Sequence, residues 1–422
     1  MNRLIKQQWV IIFFLLAIIS GNARSQTSFI WGKQFGTTQE EYVLNHVTDQ
    51  NGNVYVSGKT TGVMDGQNFG KNDGFITKID SLGNSIWTKQ FGTSEDEDIL
   101  WSAIDGKGSV YITGSTKGAL SGKSFGKDDV FVVKYNPDGQ MEWAKQFGTD
   151  STDIGCGIYA DNKGYIYITG TTSGTLGQSS LGKSDGFIMK LDAKGNQLLT
   201  TQFGTAADDR SIAITGDGNS TLYVCGSTWG DIAAKNKGMI DAYLGSFKDN
   251  CEKISFTQFG TEGFDMALQL VADDEKNIYV GGSTSGNLGC DQIGEGDCFL
   301  TKVSPKGDII WINQFGTKNH DGIRGIAFNN RISDHILVSG ILNLPPANAF
   351  TRMYKKDGTL LWERTFMAKG INGDTSGKDI GIDNQGNIYH LGLTKANLFG
   401  SHIGEGDVYL LKLGLDKSFM NH

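Results

Sequence analysis

Acidic side chains recur along this chain in two columns. Glu41, Glu97, Asp153, Asp209, Asp265 and Asp321 follow one another at 56-residue intervals. Asp73, Asp129, Asp185, Asp241 and Asp297 keep the same interval, and Asp407 joins them because each follows a glycine by three positions, from Gly70 to Gly404. Two chemistries suit acids placed in this way. Gathered at one mouth, they would form a ring of carboxylates that attracts cations or a basic ligand. Set singly at loop ends, each would accept hydrogen bonds from backbone N–H groups of its own loop or of a neighbouring Gly-Thr link. A ligand site is usually local, whereas a demand of the fold recurs in every copy, so the repetition favours the second role. The two roles carry opposite signs: removing a structural carboxylate destabilises its unit, while removing one of a repulsive ring stabilises the empty protein.

Other chemistry is sparsely represented. The turn Asp49-Gln50-Asn51-Gly52-Asn53 has the outline of a calcium loop but lacks the downstream bidentate Glu. Its counterparts at 105–108 and 161–164 place Lys107 and Lys163 inside the loop, which opposes a cation. The histidines show no ligand spacing, and the chain has no Gly-x-Ser-x-Gly elbow, phosphate-binding loop or Cys-x-x-Cys. No catalytic residue, metal or cofactor is expected. Cys156, Cys225, Cys251, Cys290 and Cys298 occupy unrelated places in the repeat, so they read as small buried hydrophobes, with Cys290 and Cys298 the one local pair within reach of a disulfide.

The element that must position the acids is written by a stronger repeat. Gln-Phe-Gly-Thr opens at Gln34, Gln90, Gln146, Gln202, Gln258 and Gln314, again every 56 residues. Within one unit, residues 42–48 form a first strand and end at a turn cluster. Val54-Tyr55-Val56-Ser57-Gly58 is rich in β-branched and aromatic residues and forms a second. A Gly-rich loop then reaches Asp73 and a third strand at 75–79, and a turn at 80–84 leads to a fourth at 85–91. Helical periodicity is absent. A four-stranded meander cannot bury both faces alone, so copies must pack face to face in a closed ring, which is an all-β β-propeller.

Seven second strands are marked by Tyr55, Tyr111, Tyr167, Tyr223, Tyr279, Leu337 and Tyr389. The last unit ends without a fourth strand, and a spare strand at 29–35 precedes the first complete unit. The N-terminal strand is therefore expected to complete blade seven and close the ring. The tight turns at 49–53 and 80–84 fall on one face of the disc and the long loops on the other. The loop-rich face, to which both acidic columns map, is the expected binding face.

At the N terminus, Arg3 and Lys6, an apolar run at 9–19 and Ala23-Arg24-Ser25 read as a secretory signal peptide over 1–25, leaving 26–422 as one propeller domain. Export to the periplasm, cell surface or medium is expected. No later run approaches a membrane span. The formal charge of −8 becomes more negative once the three cations of that segment are removed, which argues against nucleic acid as a partner.

Trp-x-Lys-Gln-Phe-Gly-Thr, Val-Tyr-Val-Ser-Gly and Asp-Gly-Phe-Ile-Thr-Lys together resemble the SBBP repeats of exported bacterial proteins, seven-bladed β-propellers, over residues 29–412. The resemblance implies the fold and no shared reaction. Blade six departs from it: Gly340 and Asn348 are 8 positions apart where Gly58 and Asp73 are 15 apart, and Asn348 replaces the usual Asp. Asp80-x-x-Gly83-x-x-x-Trp87 is similar to the blade-docking motif of quinoprotein dehydrogenases and the related outer-membrane assembly scaffold, one residue shorter. It implies that Trp31, Trp87, Trp143, Trp311 and Trp362 pack between blades. The expected function is a non-catalytic, monomeric binding or scaffold module for a protein or glycan partner. A carbohydrate-active or quinone-dependent propeller enzyme is the alternative.

Overall fold

The computed structural model describes residues 27–329, 332–368 and 373–420; the expected export segment lies outside the described residues. The repeat becomes strands where it alternates β-branched and aromatic residues, and turns where Asp and Gly cluster. Strand β1 (Thr27–Phe35) precedes the first complete blade, which is β2 (Glu41–Thr48), β3 (Val54–Thr60), β4 (Asp73–Ile79) and β5 (Ser85–Phe91). Among the described residues, seven such four-stranded antiparallel sheets follow in chain order. The last is completed by β1, which pairs with the strand Asp407–Leu415 from Thr27↔Leu415 to Phe35↔Val408. This is the expected seven-bladed propeller with N-terminal closure.

Burial explains why each strand has its own pattern. The third strand is packed on both sides by neighbouring blades, so Asp73–Ile79 is buried almost throughout, whereas the outer strand Ser85–Phe91 begins exposed. Each core cluster joins two blades: Tyr55 and Ile76 of blade one meet Ile99, Ile112 and Phe131 of blade two. Tyr389, Leu391 and Leu410 of blade seven meet Val43, Val56 and Phe75 of blade one in the same manner. The core is thus a ring of inter-blade layers with no single centre.

The innermost strands touch one another around the axis. Each carries a β-bulge near its start, between Val43 and Asn45 in blade one and at the equivalent place in the other six. A bulge leaves one residue unpaired and re-aims its side chain. No strand lies beyond this edge, and the extra residue of every bulge is half-buried or exposed and outside the inter-blade cores, which puts it on the channel side.

The outer part of the blades is latched by the Trp and Lys columns. Trp87 donates through Nε1 to the Pro137 carbonyl at 3.3 Å, and Lys78 through Nζ to the same oxygen at 2.9 Å, tying blade one to the second turn of blade two. Trp31, Trp143 and Trp311 repeat the bond onto Ser81, Ala193 and Lys356. These indoles are half-buried, with one face on the neighbouring turn and one edge toward solvent. Full burial of Trp87 and Trp143, which the packing role suggested, is not reached because the outer strand is the exposed edge. Trp87→Ala is accordingly expected to cost about 2–3 kcal/mol, below the range for a fully buried Trp, as read from chemical unfolding. A loss below about 0.5 kcal/mol would remove the latch role.

Candidate functional site

The acidic columns and the Gln-Phe-Gly-Thr motif meet at every junction except one. Glu97, at the start of the innermost strand of blade two, accepts from Thr93 N at 2.7 Å, Thr93 Oγ1 at 2.8 Å and Thr116 Oγ1 at 2.7 Å. Asp73, on the third strand of blade one, accepts through Oδ2 from Phe69 N at 2.7 Å and Gln90 Nε2 at 2.8 Å. The same amide donates to the Gly62 carbonyl, and its oxygen accepts from Met64 N. Gln90 therefore sews the long loop to the strand, Phe91 packs on Gly74, and Thr93 anchors the acid of the next blade. Gly92 lies between the two carboxylates, where a Cβ would collide with both Asp73 Oδ1 and Glu97 Oε2. Each residue of the motif thus has a separate task.

Equivalent bonds hold Glu41, Asp153, Asp209, Asp265 and Asp321 to Thr37, Thr149, Thr205, Thr261 and Thr317. Asp129, Asp185, Asp241, Asp297 and Asp407 take the amides of Gln146, Gln202, Gln258, Gln314 and Gln34. All twelve acids are buried. They stand at strand starts on the loop-rich face, but their oxygens are turned inward. The sequence marked the Gln and Thr columns as the repeat and the Gly-Thr link as a backbone donor, but not the Gln and Thr side chains as partners of the acids.

The acids of a junction are close enough to feel each other. Burial, with a smaller contribution from the neighbouring third-strand Asp, raises the pKa of Glu97, Asp209, Asp265 and Asp321. A carboxyl raised in the fold lends stability that is full below its unfolded value and is lost as pH rises through the folded one. Asp217 has the opposite sign. Burial pushes it up, but the N–H groups of Thr221 and Asn219 and the Lys276 ammonium outweigh that and hold it at about 2. Its contribution is present above the ordinary carboxylate range and is lost toward pH 2. The melting temperature is expected to rise from neutral to weakly acidic pH and to fall in strong acid, measured calorimetrically across buffers. Asp209→Ala strands the donors of Thr205 and should cost about 1–3 kcal/mol. Asp209→Asn keeps an acceptor, removes the repulsion from Asp185 and should cost less; the reverse order would contradict the paired-acid geometry.

On the loop-rich face the locked loops hold Phe69, Phe125, Leu181, Ile293 and Ile403 exposed in blades one, two, three, five and seven, with Lys237 at the same place in blade four and Leu344, also exposed, in the shorter loop of blade six. The opposite, tight-turn face is not featureless. A cavity of about 390 Å³ opens there, lined by the turn residues Asp49, Asn51, Asp105, Lys107 and Asn162. The Asp49 carboxylate accepts from Asn51 N and Asn53 N at 2.9 Å, so backbone donors occupy the turn acid. All five cysteines are free thiols; Cys298 is buried and Cys290 exposed. Among the described residues no group of three or more His, Cys, Asp or Glu side chains could hold a metal ion, and no helix is long and apolar enough to cross a membrane.

The SBBP family, a beta-propeller repeat, matches residues 30–63 and 142–177. Two segments of the chain thus match the SBBP repeat. Both matched segments run from the outer strand of one blade through the first two strands of the next, so they contain the motif and the junction just described. The chain is 27% identical over 209 residues to the regulatory protein FlaEY of Caulobacter vibrioides, an alignment covering 44% of this chain and 22% of that protein. An uncharacterized WD repeat-containing protein of Acanthamoeba polyphaga mimivirus is 21% identical, with 87% of this chain and 36% of that protein covered. The chain thus spans about a fifth to a third of the length of these relatives. Among solved structures, a polysaccharide lyase acting as an ulvan lyase superposes with a TM-score of 0.56 at 12% identity, covering 92% of this chain and 100% of that one. The WD40 domain of Neurospora crassa Pan2 gives 0.54 at 9%, covering 93% and 97%. At these identities the likeness is one of fold.

Proposed function

We propose that this protein is an exported, non-catalytic binding module that docks a protein or glycan partner on its loop-rich face. One observation carries the reading: the exposed apolar ring of Phe69, Phe125, Leu181, Ile293 and Ile403 sits on loops locked by buried Asp and Gln side chains. Exposed apolar groups on a rigid frame bind without a large ordering cost, which is how recognition surfaces are built. The test compares the wild type with a Phe69→Ser, Phe125→Ser, Leu181→Ser variant on a glycan array and against defined surface proteins. Binding should fall while the melting temperature holds. Unchanged binding by the variant would remove the ring from the function.

The enzyme alternative is favoured by one feature, a tyrosine beside a lysine at the channel mouth, with Lys378 Nζ 3.5 Å from the Tyr42 hydroxyl. The ulvan lyase that shares the fold was solved with a glucuronate-containing saccharide. Incubation with acidic polysaccharides and analysis of chain length separates the readings, because a binding module leaves the polymer intact.

A further inference from the structure

Blades six and seven break the channel wall at the same level and in the same sense. Five bulges aim Leu44, Leu100, Cys156, Ile212 and Leu268 at the axis; the other two aim Arg324 and Lys378. Two positions earlier, nearer the loop-rich face, blades one to five carry Tyr42, Asp98, Ile154, Arg210 and Met266. Blades six and seven carry Gly322 and Ser376 there, so the wall loses bulk directly above its two cations. Arg324 leans into that space, its Nε 3.7 Å from where a Cβ on Gly322 would stand. Lys378 is half-buried, with Nζ 4.7 Å from the Tyr42 ring centroid. Arg210, in the upper layer of blade four, lies 5.1 Å over the Trp229 ring.

The acids change in the same two blades. The third-strand Asp of blade six is Asn348, and the inner acid of blade seven is Thr375. The junction between these blades therefore lacks both carboxylates that the other six junctions bury; the exposed Asp374 stands beside it, accepting from Ala347 N at 2.9 Å, and the bulges of the two blades carry Arg324 and Lys378, the latter against Tyr42 of blade one. None of Arg210, Arg324 and Lys378 forms an ion pair among the described residues, whereas Lys59 on the same rim is neutralised by Asp98. Burial, opposed by Tyr42 and reinforced by the Arg324 charge, holds the Lys378 ammonium below its ordinary pKa.

We propose that the channel mouth at blades six and seven is an oxyanion site. It takes a carboxylate- or sulfate-bearing ligand from the loop-rich face between Arg324, Lys378 and the Tyr42 hydroxyl. The inference rests on the reading of that face as the binding face and names the ligand class. The exposed Arg324 guanidinium and the half-buried Lys378 ammonium can donate charge-assisted hydrogen bonds to such oxygens.

The experiment uses the mature protein at low salt, with citrate, sulfate, oligogalacturonate and a neutral oligosaccharide as probes, followed by calorimetry and thermal melts. Arg324→Leu with Lys378→Leu restores the residue that sister blades carry, so the fold should persist; Lys378→Gln is the milder second variant. The wild type should bind at least one anion and not the neutral sugar, and the double variant should lose about tenfold or more in affinity. Equal binding of citrate and oligogalacturonate marks a small-anion site, and preference for the oligosaccharide marks an acidic glycan. No anion binding by the wild type, or equal binding by both variants, overturns the proposal. A wild type that ignores anions yet loses another partner through the Phe69, Phe125 and Leu181 substitutions overturns this site alone. Anion binding that depends on Arg324 and Lys378, with that ring irrelevant, overturns the docking reading alone.

Discussion

Removing residues 26–36 should lower the melting temperature sharply and drive association. β1 supplies the outer strand of blade seven, and its loss leaves the backbone donors and acceptors of Asp407–Leu415 as an open edge. Unpaired edges of apolar strands template pairing with other chains, and this one carries Val408, Leu410 and Leu411, which are buried in the intact ring. Three further ties go with it. Trp31 leaves the Ser81 carbonyl, Lys33 leaves the Gly83 carbonyl, and Gln34 leaves Asp407 and the backbone of Leu398. The last uncouples the final long loop from its strand. Several kcal/mol are at stake, since a net hydrogen bond is worth about 1 kcal/mol and apolar burial is lost besides. Melting curves and light scattering report both consequences. A truncated chain that stays monomeric with unchanged stability would refute closure by β1.

How much of this could be read beforehand depends on whether a feature is periodic or relational. The strands, the blade count and the closing strand were all legible, because Gln-Phe-Gly-Thr and the Tyr55 column fix both the unit and its phase. Both acidic columns were visible for the same reason, and so was their placement at strand starts. What could not be read is that Asp73 of one blade and Glu97 of the next share a junction. That fact belongs to the packing of sheets and leaves no local trace. The depth of Trp87 was not legible, because a column of tryptophans looks the same whether an outer strand buries it wholly or by half. Arg324 and Lys378 were present in the sequence, but only the bulge register places them in line with Leu44 and Leu268. Blade six had been noted for its short loop and for Asn348, and the structure connects that anomaly to Thr375 across the junction.

The bulge makes the sharpest prediction about a single residue. In each blade the glycine ending the Val-Tyr-Val-Ser-Gly pattern lies opposite the residue that precedes the extra one. A Cβ on Gly114 would stand inside the Asp98 carbonyl oxygen, and on Gly340 inside that of Gly322. The obstacle is backbone, held by the ladder on one side and by the next blade on the other, so it cannot rotate away. Gly114→Ala should therefore cost about 3 kcal/mol or more, at or beyond the upper end for overpacking. Gly106 supplies the internal control: nothing lies within 4 Å of its Cβ position, and its φ is not positive. There Ala should stabilise by about 0.4–1 kcal/mol by restricting the unfolded chain. Paired denaturation curves test the opposite signs, and a tolerated Gly114→Ala would mean that the bulge can relax. Gly340→Ala carries the argument to the channel. Displacing the Gly322 carbonyl would move the strand that aims Arg324, so Gly340→Ala should lower both stability and anion affinity, whereas Gly114→Ala should lower stability alone.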